Sequence, residues 1–301
     1  MDIEGLKSYI GKTVGSRKID YTWRDLVIYA LGVGAKADEL EYTYEKDMKT
    51  LPTYLSSVYW NGQFGVTPQS TGPYCPYSDL IAFSENDLGK WPGGTHMDHE
   101  LEIIRPIDPI KGTLLLKDKV KNIFDRGEGK GVAVRTEVEV YDEAGRLVAV
   151  NRGTHLLSAY GGFGGEPLPK STVTIPEDRK PDYVFEDSIS ETQNLLYRLT
   201  SDTLPAHVDR EYAKSRGFKA PIMQGLCSLG YAARWGIKAC APGHPERMKK
   251  ISAQMRSFCY PGDSLVFMGW KKENGIVFRL VNAQSGDKIL DRGFIDFIEE
   301  A

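Results

Sequence analysis

The chain has 301 residues and a formal net charge of -3. Its length suits two units of about 150 residues, and its weak negative charge gives no reason to expect a nucleic-acid partner. Its cysteines, Cys75, Cys227, Cys240 and Cys259, have no CxxC spacing, which argues against a disulfide or metal framework.

The N-terminal residues lack the basic-then-apolar layout of a signal peptide. No apolar run reaches the ~18 residues of a spanning helix. The final Ile298-Glu-Glu-Ala is not a peroxisomal address. A reducing cytoplasm and no membrane partner are therefore expected.

In chain order, residues 22–31 predict a short helix, with Leu26, Val27, Ala30 and Leu31 as a stripe and Gly32 and Gly34 as the stop. Residues 112–121 predict a strand ending near Asp125-Arg-Gly. Residues 131–141 alternate strictly. Val132, Val134, Thr136, Val138 and Val140 take one side, and Arg135, Glu137 and Glu139 the other, as in a half-buried antiparallel strand. A turn at Asp142-Glu-Ala-Gly145 leads into its partner over 146–157. Tyr160-Gly-Gly-Phe-Gly-Gly-Glu-Pro reads as the connection leaving a first unit.

Residues 191–200 read as helix or turn, and Pro205 excludes a regular helix interior after them. Residues 221–237 predict a buried helix carrying Ile222, Met223, Leu226, Leu229, Ala233 and Trp235, with Pro221 in its first turn. Gly225 and Gly230 inside it predict a close approach to the backbone. Strands are then expected over 261–270, 275–283 and 288–297, with turns at Glu273-Asn-Gly275 and Ser285-Gly-Asp287.

The second block repeats the first. Asn151-Arg-Gly153 follows Gly145 as Asp291-Arg-Gly293 follows Gly286. A tandem duplication is the expectation: a unit over 1–165, a linker over 166–180 and a unit over 181–301, each an antiparallel sheet wrapped on a central helix.

The chemistry concentrates in Tyr197-Arg-Leu-Thr-Ser-Asp202-Thr-Leu-Pro-Ala-His207-Val-Asp, followed by Gly217-Phe-Lys-Ala-Pro-Ile-Met-Gln-Gly225-Leu-Cys. Asp202 and His207 sit on an irregular backbone beside a helix N-terminus. An acid, a base and the Gly225 amide suit proton transfer next to a carbonyl whose oxygen gains charge. On spacing alone, Asp202 as an N-cap and His207 as a surface residue is the favoured reading; the helix that follows shifts it towards chemistry. Gln224 is either a ligand contact or a cap.

This stretch resembles the hydratase 2 motif of the MaoC-like (R)-specific enoyl-CoA hydratases. Tyr29-Ala-Leu-Gly-Val-Gly-Ala35, Tyr42-Thr-Tyr-Glu45, Leu51-Pro-Thr53 and Gly161-Gly-Phe-Gly-Gly165 extend the likeness to the first half. The resemblance implies an α+β double hot-dog fold, an acyl-CoA substrate, no cofactor and a homodimer. It further implies a catalytic pair at Asp202 and His207, an oxyanion amide at Gly225, a further acid at Glu45 and site tyrosines at Tyr29 and Tyr197. The first half would hold the acyl chain.

The chain departs from the family pattern where Ser201, Leu204, Ala206 and Gln224 replace the usual Gly, Asn, Leu and His. Leu204 makes a pocket wall more apolar. An acyl-CoA thioester hydrolase and a non-catalytic acyl-CoA binder are competing readings on the same fold. His96 and His99 carry a metal-site reading against a lead into a strand, and with no third ligand evident the strand is expected. Arg256 is read as surface pairing, Cys227 as core, and the glycines at 127–131 as a hairpin rather than a phosphate loop. Tyr54, Trp60, Phe64 and Tyr74 are candidate acyl-pocket residues.

Overall fold

A computed structural model describes residues 3–60, 95–157, 160–200 and 202–299. Phe64, Tyr74, Cys75 and Ser201 lie outside the described residues. A short helix α1 (Ile3–Lys7) leads into strand β1 (Thr13–Thr22) and helix α2 (Trp23–Gly32). After α3 (Tyr54–Ser57) and a 3-10 turn over Val58–Trp60 come β2 (Thr95–Ile103), β3 (Lys111–Asp125), β4 (Val132–Asp142) and β5 (Leu147–Leu157). The second half runs β6 (Tyr183–Ser188), α4 (Gln193–Tyr197), α5 (Arg210–Ser215), α6 (Gly225–Cys240), β7 (Met248–Met255), β8 (Ser264–Lys272), β9 (Gly275–Asn282) and β10 (Lys288–Phe297).

The strands form one ten-stranded sheet in the order β1-β3-β4-β5-β2-β7-β10-β9-β8-β6. Read from either edge inward, the order is the same with numbers raised by five, so the two halves are related by a pseudo-two-fold axis. Both five-stranded sheets are antiparallel, and they join where β2 pairs with β7 from Asp98↔Gln254 to Glu102↔Lys250. This is the double hot-dog architecture, with the duplicated units sharing one sheet.

The central helix α6 is buried on every side from Leu226 to Ile237, as a helix apolar all round must be. A side chain at Gly230 would lie 2.4 Å from Val33 Cγ1 and 2.8 Å from the Tyr29 hydroxyl, which is the close approach that the glycine predicts. Arg234 projects from α6 into Glu39 at 2.6 Å and Asp187 at 3.3 Å, so one buried cation ties both halves together.

Two expectations need correcting. Residues 22–31 do form a helix (α2), but it is not the first unit's counterpart of α6. Among the described residues, the last helical element before β2, as α6 precedes β7, is α3 with its 3-10 extension, and α2 corresponds to α4. Further, α6 begins at Gly225, not Pro221. The amides of Ile222 and Met223 donate to the carbonyls of Ala206 (3.2 Å) and Cys259 (2.9 Å), which holds the lead-in extended. His96 and His99 lie within β2. Among the described residues no helix is long and apolar enough to cross a membrane.

The Gly-rich connection after β5 is not a loose tether. Asp125, at the end of β3, accepts backbone hydrogen bonds from Gly127, Gly162, Gly164 and Gly165 at 2.7–3.3 Å. Those donors hold its carboxyl down at about 2.

Candidate active site

The turn after α4 carries Asp202, and a 3-10 turn at Pro205–His207 carries His207. Pro205 cannot donate from its backbone and stops any continuing helix, so the chain doubles back and both side chains meet. Asp202 Oδ2 lies 3.3 Å from His207 Nε2, and both residues are buried, 7 and 5 % exposed. The opposite edge of the imidazole is fixed, because Nδ1–H donates to the carbonyl of Ile222 at 2.8 Å. That bond leaves Nε2 as the nitrogen facing Asp202. Burial pushes the His207 pKa down, but the Asp202 charge, the hydrogen bond to it and the Ile222 carbonyl outweigh burial, so the net direction is up. A proton held between the two groups is thereby favoured.

The frame behind the pair is polar and buried. Asn194 Nδ2 donates to the His207 carbonyl at 2.6 Å, and Gln224 Nε2 donates to the Asn194 carbonyl at 3.1 Å. The Leu204 amide donates to Asp202 Oδ1 at 3.2 Å. Each catalytic candidate is thus pinned by a neighbour.

The pair opens on a cavity of about 130 Å³ with a mainly apolar wall that includes Leu204, Ile222, Met223, Met255, Phe258 and Leu290. Gly225, the first residue of α6, is part of that wall. No side chain caps this helix end, so its leading amides are available to a ligand oxygen. A Cβ at Gly225 would stand 2.7 Å from Met255 Sδ, so any larger residue here would have to displace the Met255 side chain. Among the described residues, Trp60 and His96 are the contributions of the first half.

Residues 172–292 match the MaoC like domain and residues 19–159 the MFE-2 hydratase 2 N-terminal domain. The chain is 31% identical to the peroxisomal enoyl-CoA hydratase 2 of Arabidopsis thaliana, over 92% of this chain and 90% of that protein. The chain belongs to the MaoC-like hydratase 2 family. It is also 30% identical to peroxisomal multifunctional enzyme type 2 of Drosophila melanogaster, over 92% of this chain but only 46% of that protein, so it spans about half that relative's length. A solved MaoC-like dehydratase from Phytophthora capsici superposes with a TM-score of 0.81 at 30% identity, covering 98% of this chain and 99% of that one.

Of the residues that the hydratase 2 resemblance singles out, the structure gathers Asp202, His207, Leu204 and Gly225 on one cavity. Tyr29 and Tyr197 are each 1 % exposed. Their rings are 6.1 Å apart where α2 meets α4. They form core behind the cavity, not its wall. Burial, and then Tyr29, Cys227 and Asp202, raise the Tyr197 phenol well above its usual range. Gln224 is likewise fully buried and braces Asn194, and it does not cap α6.

Glu45 departs from the expectation: it lies on an exposed turn and is not brought to the pair. A turn held at Tyr42 and Met48, which are buried on either side, turns Glu45 outward. Arg256 is exposed. Asn194 was not legible as a site residue, because nothing in its spacing links it to a carbonyl in the next turn. His96 was visible only as a possible metal ligand.

Proposed function

We propose that this chain reversibly hydrates trans-2-enoyl-CoA to (3R)-3-hydroxyacyl-CoA. One observation carries the reading: Asp202 and His207 face each other at 3.3 Å on an apolar cavity that also holds the uncapped start of α6. In this reading the thioester carbonyl accepts from the Gly225 amide, which stabilises the enolate that forms as water adds. The Asp202 carboxylate takes a proton from the water as its oxygen bonds to the β carbon. The imidazolium Nε2 delivers its proton to the α carbon. The pair ends with the same single proton, now on the carboxyl, and passes it back to Nε2 across the pair. The raised pKa of His207 supports this division of labour, since the acid must hold its proton near neutrality.

The chemistry needs no cofactor beyond the CoA of the substrate. The first half would supply the acyl-chain wall through Trp60 and its neighbours. A cytoplasmic homodimer is part of the proposal; light scattering of the purified chain and imaging of a tagged chain test it.

The deciding measurement follows loss of the conjugated enoyl-thioester absorbance while a thiol trap reports free CoA. Hydration without CoA release is expected. Stoichiometric CoA release would make the chain a thioester hydrolase, and tight binding without conversion would make it a carrier. Cys259, on the cavity wall, does not favour covalent thioester chemistry, because burial pushes its thiol up to about 12.

A further inference from the structure

The cavity that holds Asp202 and His207 has a counterpart across the pseudo-two-fold axis. The pairing of β2 with β7 is centred on Glu100↔Ser252. Exchanging the halves about that centre carries Ile103, Pro106 and Ile107 onto Met255, Phe258 and Cys259, and Met248 onto His96. The last four all line the catalytic cavity. Their images, Ile103, Pro106, Ile107 and Met248, line a separate cavity of about 150 Å³. Lys49 and Thr50, ahead of α3, close one side of it, as Ile222 and Met223, ahead of α6, close the catalytic one. Among the described residues the two cavities share no lining residue.

The image cavity keeps the apolar wall and lacks the chemistry. Among the described residues its charged side chains are Lys49 and Glu246, of opposite sign, and neither is an acid facing an imidazole across the cavity. Lys49 Nζ donates to the Gly243 carbonyl, and Glu246 is hydrogen-bonded to His244 at 2.8 Å. These heads balance in charge and are already bonded, so nothing on the wall favours a carboxylate or phosphate inside. Pro52, Pro106, Pro109 and Pro245 frame the space. Their fixed φ limits how far the wall can relax inward, which leaves the cavity formed before a ligand arrives.

An apolar cavity of this volume takes a benzene-sized group, or about six carbons. We propose, resting on the reading of the catalytic cavity as an acyl site, that the image cavity is a second, non-catalytic acyl site. It holds the apolar tail of a second acyl thioester, whose head stays outside.

The methionines make this testable. Met248 lies on the second cavity, and Met223 and Met255 lie on the catalytic one. Protein labelled with ¹³C at the methionine methyls is titrated with hexan-1-ol, with S-hexanoyl-N-acetylcysteamine, a neutral thioester, and with hexanoate. Both neutral chains are expected to shift the Met248 methyl, and hexanoate to do so about tenfold more weakly, since its charge must stay in water. Ile107→Trp fills the cavity from its rim and is expected to abolish the Met248 response while Met223 and Met255 still respond. Ile107→Val, which leaves the space open, is expected to keep it. A Met248 methyl unmoved by the neutral chains overturns the proposal, as does hexanoate binding as tightly as they do. So does a Met248 response that survives in Ile107→Trp. The readout needs no turnover: a silent Met248 sinks this site and leaves the hydratase reading standing, while absence of hydration sinks that reading alone.

Discussion

Among the described residues the two halves share a topology but not a site, and the difference lies in a few positions. Counting five residues on from the paired tyrosines gives Asp202 after Tyr197 and Gly34 after Tyr29. The first helical residue before the seam strand is Gly225 in α6 and Tyr54 in α3. In the first half, a Cβ at Gly34, whose φ is +80°, would stand 2.4 Å from the Tyr231 ring. Tyr54 itself is 1 % exposed and packs against Tyr29 at 5.8 Å. Aromatic rings, Tyr231 from α6 at one and Tyr54 at the other, thus occupy in the first half the two places where the second keeps an acid and a glycine. A duplicated fold can lose a site by packing it shut while its strands stay intact.

Breaking the second half's advantage should have graded effects. The largest comes from Asp202→Ala or His207→Ala, each expected to lower kcat by about 10²–10⁴-fold, the usual reach of acid–base catalysis. Near-normal turnover in both would remove the pair from the mechanism. Next is Gly225→Pro, which makes the site resemble the first half by deleting the amide hydrogen while suiting a first helical position. Gln224 already has φ -67° and ψ 135°, the region a residue before proline needs. Met255 must swing aside, which a thioether does readily. A loss in kcat of about 10²–10³-fold is expected with an unchanged far-ultraviolet dichroism spectrum.

Asn194→Ala should be milder. It leaves the buried His207 carbonyl without its donor, at a cost of about 1–3 kcal/mol in stability, read by denaturant titration; a fall in kcat with little change in KM would mark Asn194 as a positioning residue. In the wild type, kcat/KM should fall as pH rises through the raised His207 pKa, because the imidazolium is then lost. A kcat/KM that instead rises through that pKa would reverse the roles given to the pair. The smallest effect belongs to Glu45→Gln on its exposed turn, with turnover and melting temperature close to wild type; a large loss would show that the turn closes on bound substrate.

Much of this was legible in the sequence. The valine alternation over 131–141 and the three C-terminal strands appear close to their predicted bounds, because a half-buried antiparallel strand writes a period of two. The pairing of Asp202 with His207 came from the hydratase 2 resemblance; Pro205 by itself only excluded a regular helix between them. What stayed hidden is what depends on partners far along the chain. β2 (THMDHELEI) and β7 (MKKISAQM) interrupt their apolar positions with several polar residues, so neither shows a clean alternation. The start of α6 depends on the carbonyls of Ala206 and Cys259, which no local propensity can report. Glu45 entered by resemblance alone, and the buried neighbours of its turn aim it outward.

The pairing of β2 with β7 has a kinetic consequence. Its partners lie half a chain apart, whereas β4 with β5 and β9 with β10 are neighbours along the chain. Each unit can therefore form its hairpins early, while joining the units must await closure of a long loop. Until then each carries a bare inner edge able to pair with another copy. Newly made chains should thus be most exposed to misassembly late, when both units are built and still unjoined.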